Sequence, residues 1–300
     1  LIIREYGFTP HYLVCRAGGR IAGILPLFYI RNFTGRKLVS LPGAMYAGPA
    51  AIDDAHSTRL LQTARDYCRA HDARLQVPVP QSLIDDPAAQ PFEIDSRVPV
   101  TGNAPEDVLA RLPTLTRRGL SKSFRSNTEI RFGRHELLDA LYTALLHTRR
   151  KLGLPLPRRQ YYAAILDKVE SGVIAACVGG EAVAACLYLV DERHVHYAVP
   201  GALPAARTLG AGDRIVWELI LLARTKGKAA LCLGGSPAWH EGLLSFKRRW
   251  GSVQRPVYSF PYTQSTAAAH AVKKRGIRAI KFIPARLIGP ASRFAIKHFY

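Results

Sequence analysis

The sequence predicts an α/β fold of the α+β kind, with mixed central sheets flanked by helices. The clearest indication is residues 188–225, where two apolar strands precede a glycine-containing loop and a helix with one apolar face. A second is the succession of strands and amphipathic helices along the 300 residues. A third is an internal echo, since residues 179–184 repeat the Gly-Gly pattern of residues 18–22. Together these features favour two similar halves.

The first half contains strand-like runs of alternating apolar residues and two helical segments. Gly18 and Gly19 predict a hairpin turn, because glycine accepts the positive φ angles that such turns need. The predicted strands are 12–16, 21–28, 37–41, 74–79 and a late strand within 87–100, and the predicted helices are 57–71 and 106–112.

A basic helix at 114–125 and a strand at 128–132 lead into the second half, which begins near His135. Pro200 and Pro204 are expected to end the strand that starts at Arg193, since proline removes a ladder donor. Asp213 is expected to cap the helix that follows. The remaining helices are predicted at 136–151, 159–170 and 240–249, and the remaining strands at 173–178, 182–190, 193–199, 229–233 and 252–260.

Composition is that of a folded protein, with 48% hydrophobic and 21% charged residues. The formal net charge is +20, which implies an anionic partner such as membrane headgroups, RNA or a phosphorylated substrate. Two segments carry almost only positive charge: residues 111–134 hold seven cations and one acid, and residues 263–300 hold eight cations and no acid. The five cysteines lack metal-site or disulfide spacing, which fits a reducing compartment.

The loop between Arg207 and Asp213 has the composition of an anion site. Gly210 and Gly212 leave backbone N–H groups uncovered, the following helix start adds its positive dipole end, and Arg207 can bind a second phosphate oxygen. The alternative is an ordinary glycine-containing loop before a surface helix.

These residues carry a resemblance. Arg207-x-x-Gly210-x-Gly212 is similar to the acyl-coenzyme A loop of the GNAT acyltransferase superfamily. Residues 231–235 (LCLGG) and 241–251 (EGLLSFKRRWG) resemble a signature of its FemAB-like branch, which includes peptidoglycan-bridge aminoacyltransferases and relatives tied to envelope polysaccharide synthesis.

The resemblance implies a GNAT fold, duplicated in tandem. It predicts a degenerate acceptor-side half at 1–134, a donor-binding half at 135–262 and a basic amphipathic tail at 263–300. The tail is expected to form helices at 267–275 and 277–283, broken by Pro284 and Pro290, and to lie on an anionic membrane; RNA contact or a docked terminal helix is the alternative. The implied donor site consists of Arg207, Leu209, Gly210, Ala211, Gly212 and Asp213.

Carried over from the FemAB-like pattern, Phe246 shapes the reacting site and Lys247 stabilises the oxyanion of a tetrahedral intermediate. The alternative is that residues 247–249 form an exposed basic turn. No tyrosine follows the 229–233 strand, where many GNAT enzymes keep a general acid, so protonation of the leaving group stays unassigned.

His194 and His196 lie on one strand face and are candidates for the general base. Asp191 and Glu181 are weaker candidates. Paired histidines could also bind a metal, but the sequence shows no third ligand of suitable spacing, so no metal is expected.

For the acceptor, the resemblance makes Tyr46 a candidate contact, against a packed loop aromatic. Arg117 and Arg118 on the basic helix are candidate phosphate contacts, with Lys122 and Arg125 along the same face; a solvent-facing helix is the alternative.

The sequence therefore predicts an acyltransferase that uses acyl-coenzyme A as cosubstrate and acts on an amine or hydroxyl of a cell-envelope or polysaccharide precursor; the expected partner is an anionic envelope or lipid-linked precursor. It is expected to be cytoplasmic and peripheral at the inner face of the membrane. The alternatives are an aminoacyl-tRNA-dependent aminoacyltransferase, for which tRNA would be the partner, and a non-catalytic RNA- or membrane-binding protein on the same fold.

Overall fold

The computed structural model describes residues 1–33, 35–42, 47–84, 89–100, 104–260 and 288–299. Within these ranges the chain divides into two compact units, the first built from Leu1–Ile94 with residues 256–260 and 293–299, and the second from Asp95–Arg255 with residues 288–292. The predicted halves meet at residue 134. In the structure residues 95–134 pack with the second unit instead, because their strand and helices find partners there.

The first unit contains a path of strands, and one of its helices packs across that path. Its elements are α1 (Ile2–Tyr6), β1 (Thr9–Ala17), β2 (Arg20–Asn32), β3 (Gly35–Ser40), β4 (Ala50–Ala51), α2 (Asp54–Ala70) and β5 (Arg74–Val79).

Most of the second unit lies in one continuous stretch. Its elements are β6 (Glu93–Pro99), α3 (Pro105–Arg111), α4 (Thr114–Arg125), β7 (Glu129–Gly133), α5 (Leu138–Leu152), α6 (Arg159–Lys168), β8 (Ser171–Val178), β9 (Glu181–Val190), β10 (His194–Ala202), α7 (Ala205–Leu209), α8 (Ala211–Thr225), β11 (Ala230–Pro237) and α9 (Glu241–Arg248). Two elements complete the described chain, β12 (Val253–Phe260) and α10 (Ile288–Phe299).

The sheet of the first unit runs β1-β2-β3-β5-β12, and β4 pairs with β2. The first three strands are antiparallel, β3 and β5 are parallel, and β12 closes the path antiparallel to β5 with Tyr258 opposite Val79. Leu60, Leu61 and Ala64 on one face of α2 bury against Leu25 and other strand residues, which is the amphipathic pattern that the sequence predicts.

The sheet of the second unit runs β6-β11-β10-β9-β8-β7 and is covered on both faces. Strand β8 shows why: Ile174 packs in the cluster formed with α8, while Val173 packs in the cluster formed with α5 and α6. Residues 171–177 of β8 are all buried. A strand that is buried on both faces has a nearly continuous apolar sequence, which accounts for the apolar run here.

The two predicted Gly-Gly turns are confirmed. Gly18 and Gly19 have φ of 54° and 76°, and Gly179 and Gly180 have φ of 57° and 87°. Both angles of each pair are positive, as a two-residue type I′ hairpin requires.

Three local predictions are wrong. Strand β10 continues through Pro200, which pairs with Cys186, as far as Ala202. Arg207 lies in a short helix, α7, rather than in a loop. Residues 288–299 form helix α10 despite Pro290, which stands in its first turn, where a missing N–H costs nothing.

The start of α10 is docked. Ile288 is fully buried among residues of α5, α6 and β8, and the Ser292 Oγ accepts a hydrogen bond from the Leu156 N–H at 2.8 Å. This matches the docked-helix alternative for that part of the tail. The predicted tail helices at 267–275 and 277–283 lie outside the described residues. Within the described part of the chain, every helix is too short or too polar to cross a membrane.

Candidate active site

Strands β10 and β11 pair over a short distance and then separate. They are parallel partners only over His194–His196 and Ala230–Cys232, although β10 runs to Ala202 and β11 to Pro237. Past this point β10 keeps its ladder with β9, with a register irregularity between Tyr197 and Val199. Irregularities of this kind often occur beside active sites. The separation leaves an opening in the sheet next to Gly234 and Gly235.

Lys247 lies at this opening and is buried. Its side chain comes from α9, the residue is 4% exposed, and Nζ donates hydrogen bonds to the carbonyl oxygens of Gly234 at 2.6 Å and Gly235 at 3.1 Å. A buried ammonium needs such partners. The exposed-turn alternative is therefore wrong for Lys247 and holds only for Arg248, which is exposed and pairs with Glu241. Phe246 is half-buried, and the Arg249 guanidinium lies 4.8 Å from its ring centroid.

The glycine turn is a break between two helices. Gly210 has φ of 67°, ends α7, and precedes α8, which starts at Ala211. Asp213 is therefore the third residue of α8 and does not cap it; the N-cap position is Gly210, and the Asp213 carboxylate instead pairs with Arg249. The first N–H groups of α8, from Ala211 to Asp213, have no partner within the helix, as at any helix start.

Helix α4 lies directly against this turn. A Cβ on Gly210 would come 2.5 Å from the Gly119 carbonyl oxygen, and a Cβ on Gly119 would overlap the Asp213 carboxylate. The Ser126 hydroxyl also donates to the Leu209 carbonyl oxygen at 3.2 Å. Gly210 thus permits close approach of two backbones in addition to its positive φ.

A cleft of about 390 Å³ opens between α4 and the turn. Gly119 and Gly210 contribute backbone to it, and its cationic lining side chains are Arg118, Lys122, Arg207 and Arg249. Asp213 is the single acidic residue in that lining. Four cations against one carboxylate favour an anionic ligand.

Two details add to this electrostatic picture. Burial raises the pKa of Asp213, although the adjacent Arg249 opposes that shift. The Arg249 Nε is buried and has no hydrogen-bond partner among the described residues. A buried donor of this kind can serve a bound anion.

The predicted donor-site residues are thus divided. Arg207, Gly210 and Asp213 line the cleft, whereas Leu209, Ala211 and Gly212 do not. Ala211 is fully buried in the core, and Gly212 faces open space. Among the predicted acceptor contacts, Arg118 lines the cleft, while the Arg117 Nη1 donates to the Ala110 carbonyl oxygen at 3.4 Å. Tyr46 lies outside the described residues.

The two candidate bases are brought together at the start of β10, and neither lines the cleft. His196 Nε2 lies 2.7 Å from an Asp191 carboxylate oxygen, His194 Nδ1 lies 3.3 Å from that carboxylate, and His194 Nε2 lies 3.2 Å from Nη1 of Arg97. Asp191, a weaker base candidate in the sequence, is thus the third ligand-type side chain that the sequence analysis did not expect beside the two histidines. Its spacing, Asp-x-x-His-x-His, could have indicated it. Glu181, the other weaker candidate, is exposed at the start of β9.

Tyr197 is a further residue that sequence reasoning missed. It follows the paired part of β10 and packs against the core beneath α8. Burial raises the pKa of its phenol, and Cys186 and Asp213 add to the shift. Tyr197 therefore stays protonated at neutral pH. Its signal in the sequence is weak, because an alternating strand offers many such positions.

Comparison with known proteins agrees with this geometry. Residues 115–248 match the family model of the acetyltransferase (GNAT) domain. This stretch therefore has the GNAT fold, and it includes most of α4, the glycine turn and Lys247.

Solved structures extend the likeness beyond that domain. FemX is 11% identical, with a TM-score of 0.61 over 90% of this chain and 92% of FemX. The C-terminal domain of a predicted lysylphosphatidylglycerol synthetase from Agrobacterium fabrum is 16% identical, with a TM-score of 0.62 over 91% and 89%. A tandem GNAT protein from the clavulanic acid pathway is 12% identical, with a TM-score of 0.51 over 86% and 84%. No curated protein matches by sequence. The fold is consistent with the FemAB-like branch of GNAT proteins.

Proposed function

We propose that this protein transfers an acyl group from acyl-coenzyme A to an amine or hydroxyl of a cell-envelope or polysaccharide precursor. The observation that carries the proposal is the cationic cleft beside the glycine turn. A pyrophosphate placed there would meet Arg118, Lys122 and Arg207, and each charge-assisted hydrogen bond contributes about 1.5–3 kcal/mol.

The opening between β10 and β11 supplies a place for the reaction. The acceptor's lone pair adds to the thioester carbonyl carbon, and the carbonyl π electrons move onto oxygen. Collapse of this intermediate breaks the carbon–sulfur bond and releases a thiolate, while a base takes the acceptor's proton. The Lys247 ammonium is the group that we assign to stabilise the negative charge on this oxygen. In the structure it donates hydrogen bonds to two carbonyl oxygens of β11.

Thermal unfolding of the whole chain with acetyl-coenzyme A tests the donor. We expect saturable stabilisation, and at least a tenfold weaker affinity when Arg118 and Arg207 are both replaced by Ala. Arg125→Ala is the matched control, since Arg125 is exposed on the same helix and does not line the cleft. Absence of stabilisation by coenzyme A esters, or equal loss in the control, would refute acyl-coenzyme A as donor.

A second candidate donor is aminoacyl-tRNA. It is favoured by the exposed cations of α4, which are Arg117, Arg118, Lys122 and Arg125, and by the net charge of +20. Binding of charged tRNA should then weaken steeply as salt rises, with a slope set by the number of phosphates contacted. Salt-sensitive tRNA binding without any thioester effect would favour this donor, and with no transfer at all it would favour a non-catalytic RNA-binding protein.

The acceptor side of the proposal rests on charge and on likeness of fold. The positive net charge suits a lipid-linked or otherwise anionic precursor at the inner face of the membrane. Profiling of envelope glycans and lipid-linked precursors in a deletion strain identifies the acceptor; unchanged profiles would contradict an envelope role.

A further inference from the structure

The turn that leads into β10 brings two histidines and an aspartate together outside the candidate cleft. One Asp191 carboxylate oxygen accepts hydrogen bonds from the N–H groups of Arg193 at 2.7 Å and His194 at 2.6 Å. These bonds fix the carboxylate on the turn. The strand then places His194 and His196, two residues apart, on the same face.

The side-chain atoms of this cluster have the spacing of a metal site. One ligand atom from each of His194, His196 and Asp191 lies within 4.8 Å of the other two. His196 Nε2 lies 2.7 Å and His194 Nδ1 lies 3.3 Å from the Asp191 carboxylate. Ligands at about 2.0–2.1 Å from a tetrahedral Zn²⁺ lie about 3.3 Å apart, so the separations would change by about 0.6 Å at the shortest contact and by at most about 1.5 Å at the longest.

The exposure of the three side chains and the types of their donor atoms also suit a metal site. The histidine side chains are 15% and 16% exposed and the Asp191 side chain is 49% exposed, so the ligands are held by the fold while one side stays open. Two imidazoles and one carboxylate are the donor set of zinc and of neighbouring transition metals, whereas Ca²⁺ and Mg²⁺ prefer oxygen donors throughout.

We propose that Asp191, His194 and His196 form a binding site for a divalent transition-metal ion of the zinc type, which ties the 191–193 turn to strand β10. The open fourth position would hold water. None of the three residues lines the cleft, and the role assigned to the ion is to stabilise the second unit.

Arg97 sets the affinity of this site. A guanidinium only donates hydrogen bonds, so its Nη1, 3.2 Å from His194 Nε2, makes that nitrogen the acceptor and leaves the imidazole proton on Nδ1, toward Asp191. When Nδ1 binds a metal, the imidazole proton moves to Nε2. This nitrogen can then no longer accept a hydrogen bond from Arg97, so Arg97 must turn away. The Arg97 Nε keeps Asp95 as a partner at 2.7 Å. Removing the Arg97 charge should therefore strengthen metal binding.

Calorimetric titration of tag-free, EDTA-treated full chain with ZnCl₂ tests the proposal, with thermal unfolding as a second readout. We expect one saturable site and a rise in Tm with Zn²⁺. His196→Ala and Asp191→Asn should each weaken binding at least tenfold, and Arg97→Gln should strengthen it severalfold.

His135→Ala is the matched control, because His135 pairs with Asp167 at 2.8 Å without a further histidine and should leave zinc binding unchanged. Circular dichroism before titration confirms that each variant is folded. Failure of the wild-type chain to take up zinc saturably, or zinc binding by His196→Ala equal to wild type, would overturn the proposal. The acetyl-coenzyme A experiment is independent of either result.

Discussion

Lys247 is a buried charge whose hydrogen bonds go to the backbone of the very strand that borders the proposed reaction site. Such a group has two possible duties, to hold β11 in shape or to stabilise charge in the reaction. Removing the donor of the buried Gly234 carbonyl oxygen costs about 1–3 kcal/mol. The two duties can be separated by measuring stability and turnover on the same variant.

Lys247→Met should lower the free energy of unfolding by about 1–3 kcal/mol, because the buried Gly234 carbonyl loses its hydrogen bond from Nζ. Urea denaturation measures this. Arg248→Met is the control, since an exposed pair such as Arg248–Glu241 contributes about 0–1 kcal/mol. If Lys247 acts on the oxyanion, turnover falls in Lys247→Met while donor affinity is kept. Normal turnover would remove Lys247 from the reaction.

Asp191 makes stability depend on pH. Burial alone would raise the pKa of its carboxyl, but hydrogen bonds from His196 and from the Arg193 and His194 N–H groups outweigh burial and lower it. A lowered pKa means that the contribution to stability is present above the unfolded value near 3.9 and is lost as pH falls below it. The stability lost in Asp191→Asn should therefore be large at pH 5–7 and shrink below about pH 4, as measured by urea denaturation.

Asp213 changes the pH dependence of stability in the opposite direction. Because burial raises its pKa, its ionisation in the folded state works against stability, increasingly as pH rises from about 4 through the raised value. Relative to wild type, Asp213→Asn should gain stability as pH rises over that window. The same direction of pH dependence in both variants would contradict the environments described here.

At the scale of elements, α4 approaches the start of α8 closely because Gly119 and Gly210 have no Cβ atom. The sequence alone suggests Gly210→Val as a clean test of donor binding. The structure shows that it is not clean, because a Cβ at Gly210 meets the Gly119 carbonyl oxygen at 2.5 Å and the residue has positive φ.

Gly210→Ala should cost about 1–3 kcal/mol of stability, the range for a strained backbone. Gly212→Ala should leave stability unchanged or raise it by up to about 1 kcal/mol, because its Cβ meets nothing within 4 Å and alanine favours helix. Thermal unfolding of both variants decides the matter. Equal effects would mean that α4 does not press on the turn.

These elements also show what a sequence can predict. Helix α4 and strand β5 match their predicted bounds, because period-specific patterns and flanking prolines define them locally. The sequence could not show that Arg249 would bind Asp213, or that α4 would lie on the glycine turn. Both contacts join residues distant in the chain, and neither changes local periodicity. Helix α7 was missed because five residues are too few to show one.

At the scale of the whole molecule, positive charge dominates, and the stretch from 263 to 287 carries six of its cations. Each basic residue near an anionic bilayer contributes about 1 kcal/mol. Replacing Lys273, Lys274 and Arg275 by Gln should therefore weaken binding to vesicles containing phosphatidylglycerol by about 100-fold, as measured by sedimentation at low salt. Unchanged binding would mean that these cations do not contact the membrane.

The order in which the chain is made has a consequence for this fold. Strand β12, which completes the sheet of the first unit by pairing with β5, follows some 160 residues after the first stretch of that unit ends at Ile94. During synthesis, β5 therefore presents an unpaired edge until the chain has reached Phe260. The amino-terminal unit is thus completed only after residues 95–255 have been synthesised.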